Sequence, residues 1–509
     1  MLQLSAFSFI LPLLLFLIFL IRVISNRHGA KGCNLKLPPG PKKLPLIGNL
    51  HQMSSELPHH CLTYLAKTYG PVFYLQLGEL PVVTISTPEA AKEVLKTQEL
   101  TFANKPPFPV AEMTTYDNSS LFFAPYGEYW RQLRKICVLE LLSVKRVRSF
   151  AWSREEEVSN LVKYIESSSG LPLNLSEKIF ACTNSIICKT AFGQKCKQQD
   201  ELISSLQEAI KLVSGFRLAD LFPSLGFLIY INGMKFKLDK IKQKYDEILN
   251  TILADHKMHR EQCLAGPEDK SDKEDLFDVL QRLQESNEIG FHLTTDNIKG
   301  VILDIIAAGS ETSSTTLIWA MSEMIKNPKV MAKAQNEIRR VLKGKDRVQE
   351  SDIDELSYLK YVIKETLRMH PPGPLIIRAP REGCKVSGYD IPMNSRVLIN
   401  AYGIGRDPRY WTNPEKFEPE RFAESSVDYK GSHHQLLPFG SGRRICPGIS
   451  FAAASIELIL ASLLYHYDWK PANGQAPEQL DMTEVLGATV GRKVDLHVIA
   501  SPCSLVSAS

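Results

Sequence analysis

Phe439-Gly440-Ser441-Gly442-Arg443-Arg444-Ile445-Cys446-Pro447-Gly448 is the stretch that decides how this chain is read, and an apolar helical pattern follows it at once over residues 449–469. Proline is tolerated at the first position of a helix, which puts Cys446 near the helix N-cap. There the helix dipole and its free N–H groups favour a thiolate over a thiol. Gly440, Gly442 and Gly448 allow tight turns and let the backbone approach a flat ligand closely. Arg444, two residues ahead of the sulfur, is placed to neutralise an acidic ligand edge. This is the layout wanted for a thiolate that holds a haem iron, the ligation that favours O–O bond cleavage. A lone buried cysteine is as readily an inert small hydrophobe; the whole run argues otherwise.

The run resembles the haem-binding signature of the cytochrome P-450 superfamily, with Phe439, Gly442, Arg444, Cys446 and Gly448 all in place. A second segment, residues 302–314, places Ala307-Ala308-Gly309-Ser310-Glu311-Thr312 inside a helical pattern over 297–326. Mid-helix Thr can bond back to the carbonyl four residues earlier, and a local bulge in a helix often marks a functional site. A gap beside Ala308 and Gly309 is therefore expected to admit dioxygen. Taken by itself the segment is equally a helix that tolerates a few small polar residues. The resemblance implies that Thr312 is the alcohol and Glu311 the acid of a proton-delivery chain.

Glu365 and Arg368 stand three apart and meet on one helix face just before Pro371-Pro372. Such pairs contribute little on a surface. The resemblance makes them the family's Glu-x-x-Arg motif and adds Arg421, from Phe417-Glu418-Pro419-Glu420-Arg421-Phe422, as a second guanidinium on one carboxylate. Glu365, Arg368 and Arg421 are thereby expected to support haem-pocket folding rather than chemistry. The resemblance also implies Trp130 and Arg134, on an early helix over 129–142, together with Arg378 and Arg444, as partners of the haem carboxylates. A lone Arg would otherwise read as a solvated charge.

Composition agrees. The chain has 509 residues, 44% hydrophobic and 23% charged, which is ordinary for a globular protein. A net charge of +4 is too mild to argue for nucleic acid. The ten cysteines show no Cys-x-x-Cys pair, so neither a zinc site nor a disulfide framework is indicated. Residues 1–21 carry no charged side chain, and about 20 apolar residues span a bilayer as a helix. Arg22, Arg27, Lys31, Lys36, Lys42 and Lys43 follow, a bias that keeps the following side cytosolic. Residues 1–24 are read as a retained single-pass signal anchor of the endoplasmic reticulum membrane, with the catalytic body in the cytosol. The sequons at Asn118 and Asn174 are then left unmodified. Residues 25–48 are basic and Pro-rich and form a stiff hinge; residues 49–509 form the haem-thiolate monooxygenase domain.

A strand pair is expected over 72–77 and 82–86 with a turn near Gly78, then mostly helices over 88–367. The polar stretch 256–288 reads as an exposed loop, and Lys235, Lys237, Lys240, Lys242 and Lys244 as a solvated helix face. The resemblance implies a mostly α fold with a smaller β region, the cytochrome P-450 fold, preceded by one N-terminal transmembrane helix. It implies haem b as cofactor, and electrons from NADPH through a membrane-bound reductase, met by a basic rim that includes Lys135 and Arg443. Pocket-lining segments are expected at 101–123, 206–216, 297–312, 372–377 and 485–490. The apolar Leu303, Ile306, Ala307, Leu375, Ile376, Ile377, Leu486, Ala488 and Val490 among them suit a lipophilic substrate. The chain looks most like plant A-type enzymes that oxidise sesquiterpenes and diterpenes. Oxidation of a phenylpropanoid, alkaloid or xenobiotic, a non-oxygenating haem-thiolate isomerase or dehydratase, and a non-enzymatic haem sensor or scaffold are the alternatives.

Overall fold

One helix, Thr295–Lys326, organises the rest. Thr294 caps it: its hydroxyl accepts from Asn297 N at 3.2 Å while Asn297 Oδ1 accepts from Thr294 N at 3.0 Å, a reciprocal box that fixes the first turn. Thirty-two residues make it about 48 Å long. Its flanks are buried on nearly every face, and it packs most extensively against the helix Leu175–Phe192. The helix Ile449–His466 and the helix Ser357–Met369 close its other side.

The computed structural model describes residues 35–53, 57–116, 119–193, 198–212, 218–231, 233–264, 274–286 and 292–503. The expected anchor over 1–24, the start of the hinge and Asn118 lie outside them. Among the described residues, Ile449–His466 is long and apolar enough to cross a bilayer, but it is 67% buried inside the protein. It is a core helix, carrying Leu458, Ile459, Leu460, Leu463 and Leu464 with no exposed surface.

The smaller β region is a four-stranded sheet in the order Val72–Leu77, Leu80–Ile85, Arg396–Asn400, Leu375–Arg378. The first pair is antiparallel with Val72 opposite Ile85, the middle pair parallel, the last antiparallel with Leu375 opposite Asn400. Gly78 turns the hairpin at φ +62°; a Cβ there would stand 2.6 Å from Leu221 O. Three smaller sheets complete the region, including the hairpin Glu484–Leu486 with Val490–Arg492.

Three expectations are corrected. The described parts of 256–288 are mainly helical: Met234–Leu264 runs on through His256, and Leu276–Ser286 is a helix of its own, while 265–273 lie outside the described residues. Leu276, Phe277, Leu280 and Leu283 recur at helical spacing and are buried, and buried His256 bonds Asp275 at 2.6 Å. The early helix is regular only over Glu128–Ile136 and continues as a wider π-type turn, Cys137–Leu141. The last long helix stops at His466, because Tyr467–Pro471 alternates buried and exposed side chains and pairs with His497–Pro502.

Candidate active site

Cys446 lies before the cysteine helix rather than at its cap. Gly448 is the N-cap and the helix begins at Ile449, because Pro447 and Gly448 form a turn first. Two backbone bonds fix the sulfur: Cys446 N donates to Phe439 O at 3.0 Å, and Gly448 N–H donates to the thiol. Burial raises the thiol pKa, while the Gly448 N–H and the Arg134 charge pull it back. Gly442 has φ +71°, and a Cβ there would lie 1.9 Å from Leu95 O, so this loop is pressed against the neighbouring chain.

Thr312 lies across the core on the central helix, and its Oγ1 donates to Ala308 O at 2.7 Å. The expected bulge is absent: the helix stays α throughout 295–326. Gly309 does not open a gap, since a Cβ there would stand 2.6 Å from Ile187 Cδ1; its smallness serves close packing against the Leu175–Phe192 helix. The openness lies one residue earlier. Ala308 is exposed, and Ala307, Glu311 and Thr312 are half-buried, although Ile306, Ser310 and Ser313 beside them are buried. An exposed alanine in the middle of a core helix marks an internal recess. Glu311 Oε1 accepts from Thr489 Oγ1 at 3.3 Å, and Thr489 Oγ1 also meets Thr315 Oγ1 at 2.9 Å. Nothing in the local sequence marks Thr489 or Thr315.

Four cations gather at one edge. Arg134 Nη2 donates to Ile445 O at 2.7 Å, Arg378 Nη1 to Ile377 O at 2.9 Å and Arg444 Nη2 to Ala124 O at 2.6 Å. Trp130 holds the group: its Nε1 donates to Leu121 O at 3.0 Å, and the Arg444 and Arg134 guanidinium carbons stand 4.5 and 5.5 Å from its ring centre. Among the described residues no carboxylate pairs with Arg134, Arg378 or Arg444. Burial and mutual repulsion bring Arg378 down to about 10 and Arg444 to about 9. Lys105, which the sequence reading missed, is lowered well below its ordinary value by burial and by Arg378 and Arg444. Buried like charges without an anion are costly. A flat group with two carboxylates at this edge would satisfy them, and the recess beside Ala308 would take its face. These residues fit haem.

Glu365, Arg368 and Arg421 are brought together. Arg368 donates to both carboxylate oxygens at 2.7 and 2.8 Å, Arg421 Nε to Oε1 at 2.9 Å, and Glu418 N to the same oxygen at 2.8 Å. Arg368 Nη1 also donates to Gly405 O at 2.6 Å and Pro414 O at 2.8 Å. Glu365 is fully buried.

The expected pocket segments divide. Leu303, Ile306 and Val490 are buried, Leu375, Ile376 and Ile377 half-buried, and Leu486 and Ala488 exposed. Part of 206–216 lies outside the described residues. Lys135 and Arg443 are exposed, as a contact rim requires, though Arg443 is paired with Glu99 at 3.1 Å.

The Cytochrome P450 family model matches residues 38–496. The chain is 54% identical to a melianol synthase from Citrus sinensis over 98% of this chain and 97% of the relative. It is 48% identical to a premnaspirodiene oxygenase from Hyoscyamus muticus over 96% and 97%. It is 50% identical to a desmethyl-deoxy-podophyllotoxin synthase from Sinopodophyllum hexandrum over 96% and 95%. A zebra fish cytochrome P450 solved with progesterone superposes with TM-score 0.76 at 23% identity, covering 88% of this chain and all of that one, which shows the fold. A thiol loop, a recess on a long core helix and an anion-seeking arginine edge thus sit in a chain that belongs to the cytochrome P450 family. It is a P450 monooxygenase, similar to plant terpenoid oxidases.

Proposed function

We propose that this monooxygenase hydroxylates a terpenoid, a sesquiterpenoid or diterpenoid in the first instance. The observation that carries this reading is 54% and 48% identity, over nearly the whole chain, to a melianol synthase and a premnaspirodiene oxygenase. The half-buried apolar Leu375, Ile376 and Ile377 support a lipophilic substrate. Oxidation of a phenylpropanoid, alkaloid or xenobiotic is the second reading, supported by 50% identity to a desmethyl-deoxy-podophyllotoxin synthase.

Haem b, when bound, supplies the iron that activates dioxygen for transfer of one oxygen atom to the substrate. In this reading Cys446 is the iron's thiolate ligand, and Gly448 N–H moderates the charge on its sulfur. Arg134, Arg378 and Arg444, steadied by Trp130, hold the haem carboxylates. Phe439 and Ala308 would line the haem site. Glu311 and Thr312 move protons into the recess from the side where Thr489 and Thr315 stand. The Glu365, Arg368 and Arg421 fork fixes the segment 405–421 and so the shape of the pocket. Residues 1–24 anchor the chain in the endoplasmic reticulum membrane, 25–48 form the hinge and 49–509 the catalytic domain. Electrons come from NADPH through a reductase that meets Lys135 and Arg443.

The test is turnover in microsomes that co-express a plant reductase, with NADPH, heavy dioxygen and a terpenoid panel. A terpenoid product with one heavy oxygen supports the proposal. A normal carbon monoxide spectrum with no terpenoid product, but with oxidised phenolics, moves it to the second reading.

A further inference from the structure

We propose that His59, His60 and Glu484, joined by His370, form a binding site for a divalent transition-metal cation of the zinc type, apart from the haem recess. His59 Nε2 and His60 Nε2 stand 2.9 and 2.7 Å from the same oxygen, Glu484 Oε2, and the three ligand atoms lie within 4.8 Å of one another. His370 Nδ1 faces the other oxygen, Glu484 Oε1, at 3.8 Å. That distance is too long for a hydrogen bond, and Nδ1 has no hydrogen-bond partner.

The second ring nitrogen of His370 explains why this is a ligand position. Its Nε2 lies 2.7 Å from Glu323 Oε1. A carboxylate only accepts, so Nε2 carries a proton toward Glu323 and Nδ1 is the ring nitrogen left to bind a cation. Nδ1 and a carboxylate oxygen face each other in a site where His370 is only 8% exposed. A metal cation between them would bond to both. The Glu323–His370 pair is also the carboxylate–histidine arrangement that orients metal-bound imidazoles. Trp319 locks the ring further, stacked on it at 4.1 Å with an interplanar angle of 6°.

His59, His60 and Glu484 need little adjustment. Zinc–nitrogen and zinc–oxygen distances of about 2.0–2.1 Å put tetrahedral ligand atoms roughly 3.4 Å apart. The spacings of 2.9 and 2.7 Å from His59 and His60 to Glu484 must open by roughly half an ångström, and His370 must move in to join the three. Imidazoles with one carboxylate suit zinc, copper or nickel better than magnesium or calcium, which want oxygen ligands. Entry is available, because His60, His370 and Glu484 line an open groove of about 730 Å³. Glu484 and Glu323 supply two negative charges. Of the groove's cations, Lys326 and Arg406, Arg406 is engaged by Glu415 at 3.3 Å and lies over the Tyr402 ring at 3.7 Å.

The ligands come from three places in the fold. His59 and His60 open the helix Pro58–Tyr69, His370 follows the helix Ser357–Met369, and Glu484 starts the hairpin whose Thr489 reaches Glu311. A bound cation therefore pins that hairpin to the body of the protein, and it stabilises the folded state because the unfolded chain lacks the site.

Isothermal titration of chelator-stripped, haem-loaded full-length protein with ZnCl₂ tests this. The expected result is one saturating Zn²⁺ per chain and a raised melting temperature. His60→Ala should weaken the affinity at least tenfold. His60 is partly exposed, so its loss spares the fold, and an unchanged carbon monoxide spectrum checks that. Glu323→Gln, which touches no metal, should weaken binding by about 10–100-fold. Exposed His292→Ala should leave it unchanged. No saturable binding, or equal affinity in His60→Ala, overturns the proposal.

Discussion

Thr489 Oγ1 lies 3.3 Å from Glu311 Oε1, so an acid on the central helix is held by a hydroxyl from a hairpin that follows it by 178 residues. The same hydroxyl meets Thr315 at 2.9 Å, which makes Thr489 the join between the hairpin and the helix. Thr489→Val keeps the volume and removes the donor. A hydrogen bond to a charged group is worth about 1.5–3 kcal/mol. The expected outcome is about a tenfold fall in product formed per NADPH consumed, with the carbon monoxide spectrum unchanged and Thr489→Ser restoring the yield. Thr312→Ala should cut coupled product by about a hundredfold, on the scale of lost acid–base catalysis. Coupled yield in Thr312→Ala equal to that of the parent protein would remove Thr312 from proton delivery.

The carboxylate of Glu365 is shared by two guanidiniums and a backbone N–H, all within 2.9 Å. Arg421→Ala leaves a buried carboxylate with one partner fewer, and breaking such a cluster costs about 3–5 kcal/mol. Arg421→Lys keeps the charge but loses the planar fork and should fall between the two. Urea unfolding of the haem-loaded protein measures both. Equal midpoints for Arg421→Ala and the parent protein would mean that the fork contributes nothing to stability.

The arginine edge gives a prediction with opposite signs in two states. Without an anion, Arg378 and Arg444 are buried and also repelled by Arg134, and burial first and repulsion second lower their pKa values. Arg378→Gln therefore makes the haem-free chain more resistant to urea, or at least no less resistant. It should make haem leave the loaded protein faster, by about tenfold for one lost charge-assisted hydrogen bond. The two measurements are urea midpoints of the apoprotein and transfer of haem to an excess of apomyoglobin. Destabilisation of the apoprotein with unchanged haem loss would reverse the reading.

Much of the site was legible because its signals are local. Cys446 stands inside a ten-residue run, Glu365 and Arg368 share one helical turn, and Trp130 and Arg134 share another. Arg421 needed the resemblance, since 56 residues separate it from its carboxylate. Contacts across long stretches of chain left no pattern to read. Lys105 looks like any loop lysine, and His59, His370 and Glu484 meet from three remote segments. The polar stretch 256–288 was misread because Leu276, Leu280 and Leu283 within it recur at helical spacing and face the core. Gly309 was legible as small but not for its reason, because the close approach of Ile187 is a property of two helices and not of one.

Asp304 sets a pH dependence whose sign runs against the usual carboxylate. It sits on the central helix, accepts from Leu121 N at 2.6 Å and Phe122 N at 3.4 Å, and burial pushes its pKa up to about 7. An unfolded aspartate titrates near about 3.9. Between those values the folded state binds more protons than the unfolded one, so stability falls as pH rises. The contribution of Asp304 is therefore fully present below about pH 4, is lost as pH rises through about 7 and is flat above that. Asp304→Asn imitates the protonated form at every pH. It should match the parent protein near pH 4 and exceed it at pH 8, with a shallower slope between. Glu457, also raised to about 7 by burial, keeps the remaining slope from vanishing. Urea midpoints across that range check this, and parallel curves for the two proteins would show that Asp304 does not carry the effect.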